Sequence, residues 1–300
     1  KMGYDVHLST SDPAAHVDAA LAGSVPGLTV SRIDPVKETE NYRALVLKTQ
    51  GAGLDDAGKK LLEEDLRSPC TEEIAVFQAF SRVIREADKR FVVMDTAPTG
   101  HTIRLLELPG AWSQYLDANP NGTSCLGPVS ELDKQRSQYA AAVRSLSDPA
   151  ETRLVLVARA HRASIREAAR TSEELAGIGI KNQYLVLNGV MPATDSASGE
   201  LAQSVCLRER KAISEIPEPL KSLPRDTLFL KPRNMVGVEA LRTLFIKNSE
   251  SKAENTAFTP PEPKPLSDLI AGLTGMGHGL IMLMGKGGVG KTTMAAAIAG

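Results

Sequence analysis

FVVM, LVLVA, YLVL and LIMLM are short runs of consecutive apolar residues, well separated along the chain. This pattern constrains the fold more than any other feature of the sequence. A strand that is apolar at every position, not only at alternate ones, is suited to burial on both faces, and that is the environment of a parallel sheet. The predicted strands are Tyr4–Thr10, Leu28–Asp34, Arg90–Thr96, Arg153–Arg159, Asn182–Val190, Asp226–Pro232 and Leu280–Met284. Amphipathic helical sequence such as HRASIREAARTSEELAGIG (161–179) lies between many of them. Strand–helix repetition of this kind implies right-handed βαβ units, hence an α/β fold with a doubly wound, mostly parallel sheet. Ligands of such sheets bind beyond the carboxyl ends of the strands.

At 300 residues and 42% hydrophobic, the chain can bury a substantial core. A net charge of −1 gives no overall attraction to nucleic acid or anionic lipid. The three cysteines, Cys70, Cys125 and Cys206, are far apart and form no CxxC pair, which argues against a disulfide framework and a zinc ribbon. The polar, proline-rich stretch 247–265 reads as an extended linker. It divides the chain into 1–246, the linker 247–265, and 266–300.

GKGGVGKTT, Gly285–Thr293, fits G-x-x-x-x-G-K-[ST] and sits between an apolar strand and a helix. Glycines at Gly285, Gly287, Gly288 and Gly290, with Val289, let backbone N–H groups turn inward to cradle phosphate oxygens at a helix N-terminus. Lys291 is placed to reach the β- and γ-phosphates, and the Thr292 hydroxyl to hold Mg²⁺, with Thr293 beside it. The bland alternative is a glycine-rich turn with no ligand. Lys286, directly after the first glycine, is not required by an ordinary phosphate loop. It resembles the extra lysine of the deviant Walker A ATPases, which reaches the nucleotide of a partner subunit.

Asp95 ends the strand FVVMD, where a carboxylate is positioned for the hydration shell of Mg²⁺; capping the next helix is the alternative. Asp12, in STSDPAAH, reads by itself as a helix N-cap with Pro13 at the first helical position. Beside a phosphate site it would instead orient an attacking water. A lone cysteine is most often a small buried hydrophobe, and Cys206 fits that description. Cys125 lies in a loop rich in turn residues, and together with Cys70 it could bind a soft centre as thiolate.

The motifs GKGGVGKTT, SDPAAH, DTAPTGHT, SPCTEEIAVF, SCLGP and NQYLVLNGV together resemble the arsenite-transporting ATPases over essentially the whole chain. These are catalytic subunits of an arsenical efflux pump, built as two homologous ATPase halves. The resemblance implies a P-loop NTPase fold of the deviant Walker A type. It implies ATP hydrolysis with Mg²⁺, stimulated by As(III) or Sb(III) and coupled to an integral-membrane efflux pore.

By this resemblance, Asp12 corresponds to the switch I aspartate near the hydrolytic water and Mg²⁺, and Asp95 to the switch II aspartate of the Mg²⁺ site. Lys286 and Lys291 act on the phosphates, and Asn188 recognises adenine. Cys70, Cys125 and His101 belong to the metalloid site. The implied partners are the pore, an arsenic metallochaperone and a second ATPase half or pseudo-dimer, with no nucleic acid. The implied location is cytoplasmic, peripheral to the inner membrane through the pump. The rival reading is an ATP-dependent targeting factor for tail-anchored membrane proteins, which commonly carries a CxxC pair that this chain lacks; the non-enzymatic one is an inactive fragment.

Against the family order, the chain is expected to run from inside a first half to the start of a second. Residues 1 to about 102 look more like the family's second half and about 103–246 like its first, as gene conversion or a chimeric product would give. A linker of this length spans about 25 Å as a random coil, enough for the terminal phosphate loop to fold back in the manner of a circular permutant.

Overall fold

A computed structural model describes residues 3–12, 17–96, 123–124, 127–128, 140–193, 199–232, 234–244, 282–283 and 291–299. Lys1–Glu250 form one compact unit and Ser251–Gly300 a second.

Among the described residues, two three-stranded parallel sheets organise the first unit. In one, β1 (Val6–Thr10) lies between β2 (Leu28–Arg32) and β3 (Phe91–Asp95). In the other, β7 (Gln183–Val190) lies between β6 (Leu154–Ala158) and β8 (Arg225–Phe229). Every pairing within them is parallel. The two-residue strands β4 (Thr123–Ser124) and β5 (Gly127–Pro128) pair antiparallel.

The helices follow local chemistry. Pro35–Thr49 starts where Asp34 accepts hydrogen bonds from the N–H groups of Val36 and Lys37, with Pro35 supplying a preset first turn. Pro69–Ile84 starts with Pro69 after Ser68. A proline at the first helical position lacks only an N–H that has no intrahelical partner there. This helix buries Ile74, Phe77, Phe80 and Val83, and Pro35–Thr49 packs against it with Tyr42 and Val46. Under the second sheet, Arg162–Gly177 buries Ile165 and Leu175. A single cluster of buried residues runs from Ile33, Val46 and Phe77 to Leu156, Leu185 and Leu220. The two sheets therefore share one core.

Burial on both strand faces was expected, and here the described residues differ. The inner positions Leu156, Ala158, Leu185 and Leu187 are buried, whereas Val155 and Val157 on β6 are 49% and 63% exposed. On β3, Phe91 and Val93 are 59% and 52% exposed. The described helices pack against one face of each sheet, so alternate residues, which point to opposite faces, alternate in burial. Of the expected strand Leu280–Met284 only Met282 and Leu283 are among the described residues, and these two belong to no strand. A strand exists only through a ladder partner, and apolar sequence alone does not supply one.

Polar groups in the first sheet are tied together. His7 is buried, with Nδ1 2.7 Å from the Glu86 carboxylate and Nε2 2.8 Å from the Ser31 hydroxyl. Ser31 in turn donates to Ser9 at 3.0 Å. Arg90 donates to Glu86 through Nε at 3.0 Å and to the Thr29 hydroxyl at 3.1 Å. One carboxylate thus links β1, β2 and the approach to β3. Arg90 foremost, and His7 as well, hold the Glu86 carboxyl below the usual carboxylate range.

Two outcomes follow. Phe77, fully buried, leaves a large cavity when truncated, so Phe77→Ala should lower unfolding free energy by about 3–5 kcal/mol in a denaturant titration. Because folding depresses the Glu86 pKa, its contribution is present above the unfolded carboxylate value of about 4.3. It is lost as pH falls through the folded value, and thermal melts of Glu86→Gln should decline less steeply in that acidic window than those of the parent.

Candidate functional site

Parallel pairing puts the carboxyl ends of β1 and β3 side by side, with Thr10 aligned to Asp95. Thr10 is buried, and its hydroxyl donates to a carboxylate oxygen of Asp95 at 2.9 Å. The same hydroxyl accepts the N–H of Asp12 at 3.2 Å. The Ser11 N–H donates to the Asp95 carbonyl at 2.9 Å, and the Ile33 N–H to the Thr10 carbonyl at 2.9 Å. The chain leaving β1 is therefore fastened to both neighbouring strands, and Asp12 and Asp95 are brought together through one hydroxyl. Asp95 is exposed and Asp12 half-buried.

Two carboxylates at adjacent strand ends are hard oxygen donors, the type that Mg²⁺ prefers. Mg²⁺ is usually bound by one or two carboxylates, with waters and substrate phosphates completing its octahedron. The pair fits that role. Among the described residues no cluster of three or more histidine, cysteine, aspartate or glutamate side chains could hold a metal by itself.

Asn188 occupies the equivalent rim of the second sheet. It lies near the carboxyl end of β7, at a register irregularity against β8, and is exposed. Cys70 is half-buried in the first turn of Pro69–Ile84. Cys206 is buried, with its thiol 3.9 Å from the Pro192 carbonyl, which agrees with the packing role expected of it. His101 and Cys125 lie outside the described residues, as do Gly285, Lys286, Gly287, Gly288, Val289 and Gly290. Lys291 and Thr292 open the helix Lys291–Ala299, in which Thr293 is exposed. Among the described residues no helix is long and apolar enough to cross a membrane.

Thr10 is the residue that sequence reasoning missed. Its signal was a hydroxyl two positions before Asp12, at the end of a strand, and only the identity of the neighbouring strand gives that position meaning.

The family model described as anion-transporting ATPase matches residues 14–247. An arsenical pump-driving ATPase of Escherichia coli is 48% identical over 315 aligned residues, covering 100% of this chain and 54% of the relative. Its counterpart in Acidiphilium multivorum is 48% identical over 316 residues, again covering 100% and 54%. A putative arsenical pump-driving ATPase of Halobacterium salinarum is 31% identical, covering 99% of this chain and 49% of the relative. The chain spans about half the length of these curated relatives.

Thr10→Val keeps the shape and deletes the hydroxyl shared by Asp95 and Asp12. Because Asp95 stays solvated, the expected loss of stability is about 1 kcal/mol, below the range for a buried bond to a charged group and that of an ordinary hydrogen bond. A double-mutant cycle of Thr10→Val with Asp95→Ala, read by chemical denaturation, should return a coupling of about that size; additivity would mean that the bond contributes nothing.

Proposed function

The chain belongs to the anion-transporting ATPase family, and on that premise we propose that it carries ATP-hydrolysing machinery of an arsenical efflux pump. The observation that carries this reading is the Thr10 hydroxyl holding Asp95 beside Asp12 at the ends of two parallel strands. The sequence GKGGVGKTT, which opens the helix Lys291–Ala299, supports it independently. So do the printed names of the relatives, which are pump-driving ATPases.

Phosphoryl transfer makes few covalent demands on a protein; catalysis is positioning and charge stabilisation. In the proposed assignment, backbone N–H groups from Gly285 to Gly290 cradle the phosphates. Lys291 balances charge on the β- and γ-phosphates, and Lys286 adds a second cation in the manner of the deviant Walker A loops. Within Lys1–Glu250 the carboxylates of Asp12 and Asp95 would hold Mg²⁺, directly or through its waters, and within the phosphate loop the Thr292 hydroxyl is the group assigned to Mg²⁺. Bound there, Mg²⁺ supplies neutralisation of the triphosphate charge. Asp12 also orients the attacking water, and the backbone bond from its N–H to Thr10 restricts where its carboxylate can reach. Asn188 presents a side-chain amide, which can both donate to and accept from the edge of adenine.

Arsenite or antimonite is the cargo-side ligand in this proposal. Trivalent arsenic favours sulfur, and Cys70 and Cys125, with His101, are the proposed ligands. A ligand that binds better to a closed arrangement shifts the population toward it, which is how metalloid would stimulate hydrolysis. The pump's membrane pore is the proposed partner that uses this hydrolysis, with the chain associated with the membrane through it.

Steady-state ATP hydrolysis, with and without arsenite, tests the reading on this chain, Cys70→Ser and Asp95→Asn. Arsenite should raise the rate of the parent, and Cys70→Ser should keep the basal rate while losing the rise. Asp95→Asn should lower the basal rate about 10- to 100-fold, the scale seen when a group that positions a metal is altered. A parent chain that hydrolyses ATP with no response to arsenite would remove the metalloid from the proposal and leave the ATPase.

A further inference from the structure

Gly189 follows Asn188 on β7 and has φ of +68°, a backbone region that side chains other than glycine's rarely adopt. A close approach is found at the same place. The guanidinium of Arg159 lies against this glycine, so that a Cβ built on Gly189 would sit 2.8 Å from Arg159 Cζ and 3.3 Å from Nη2. The positive φ calls for glycine here, whereas the guanidinium, at the far end of a flexible exposed side chain, can move aside from a Cβ.

Arg159 is the first residue beyond β6, the strand that pairs with β7. Its backbone is fixed: its N–H donates to the Ser164 hydroxyl at 3.0 Å and its carbonyl accepts from the His161 N–H at 2.7 Å. Its side chain is exposed, and among the described residues none makes a hydrogen bond or ion pair with its guanidinium. A planar cation thus lies over Gly189, the residue after Asn188, on the rim where parallel sheets bind ligands. Arginine stacks on aromatic faces as lysine does not, because its charge is delocalised over a flat group.

We propose that Arg159 is a base-contacting residue of the nucleotide site, its guanidinium packing on the face of the purine whose edge Asn188 reads. The inference rests on the reading of Asn188 as the adenine-contacting residue, and extends it to the adjacent strand. Gly189 then has a purpose beyond the turn: it keeps the floor under Arg159 low enough for a ring to lie beside Asn188.

The test is equilibrium binding of ATP and of inorganic tripolyphosphate, which lacks the base, to the full chain and to Arg159→Ala, Arg159→Lys and Asn188→Ala. Arg159→Ala should weaken ATP about 3- to 30-fold, the range for a cation over an aromatic face, and leave tripolyphosphate unchanged. Arg159→Lys, which keeps charge and stem, should recover only part of that loss. Asn188→Ala should weaken ATP selectively as well. If Asn188→Ala weakens ATP and Arg159→Ala does not, the inference about Arg159 is overturned while the adenine reading stands. If neither variant affects ATP, both fall. Equal weakening of ATP and tripolyphosphate by Arg159→Ala would place the guanidinium on the phosphates, or in the fold, and overturn the proposal. An unchanged melting temperature separates those last two.

Discussion

The Thr10–Asp95 hydrogen bond depends on one alignment, the parallel register of β1 against β3. Side chains alternate between faces along a strand, so a slip of one residue would turn Asp95 to the opposite face and leave the Thr10 hydroxyl without its carboxylate. What holds the register lies several residues away. His7 reaches both the Glu86 carboxylate and the β2 hydroxyl of Ser31, and Arg90 joins Glu86 to Thr29. The two His7 bonds and the Arg90–Thr29 bond cross between elements and would break on slippage, while the Arg90–Glu86 bond is local, four residues apart. The packing of Pro69–Ile84 supplies the adhesion, and the polar cross-links supply the alignment.

The second sheet is built by the same rules and offers different chemistry. Its carboxyl rim presents an amide at Asn188 and a guanidinium at Arg159, where the first sheet presents the carboxylates of Asp12 and Asp95. Under the proposed function this division suits the two ends of a nucleotide. Hard oxygen donors suit the metal–phosphate end, and planar groups suit the base. The shared core from Phe77 to Leu185 places both rims on one compact unit.

Much of this was legible in the sequence. FVVM, LVLVA and YLVL announced strands because consecutive apolar residues tolerate few other environments, and Asp95 stood out as the carboxylate closing such a run, whereas Asn188 was marked only by the family resemblance. Thr10 did not stand out. Threonine is common in strands for its branched shape alone, and only the register with β3 turns its hydroxyl into a bridge. Arg159 was hidden for a similar reason, since its meaning depends on a glycine thirty positions later across a strand pair. The alternating exposure of Val155 and Val157 has the same origin, because a sequence records what a face suits and not what covers it.

The bond between Thr10 and Asp95 spans 85 residues of sequence, whereas that between Ser9 and Ser31 spans 22. Chain entropy makes the longer closure the harder one, and parallel strands cannot be joined by a tight hairpin. The β1–β2 pair can therefore form early, held by its own hydroxyls, while the two carboxylates converge only when β3 arrives. During synthesis, a nascent chain that has just exposed β1 and β2 would carry Asp12 with no counterpart. The contact between the two strand ends is therefore late in the order in which the chain is made, 85 residues separating Thr10 from Asp95.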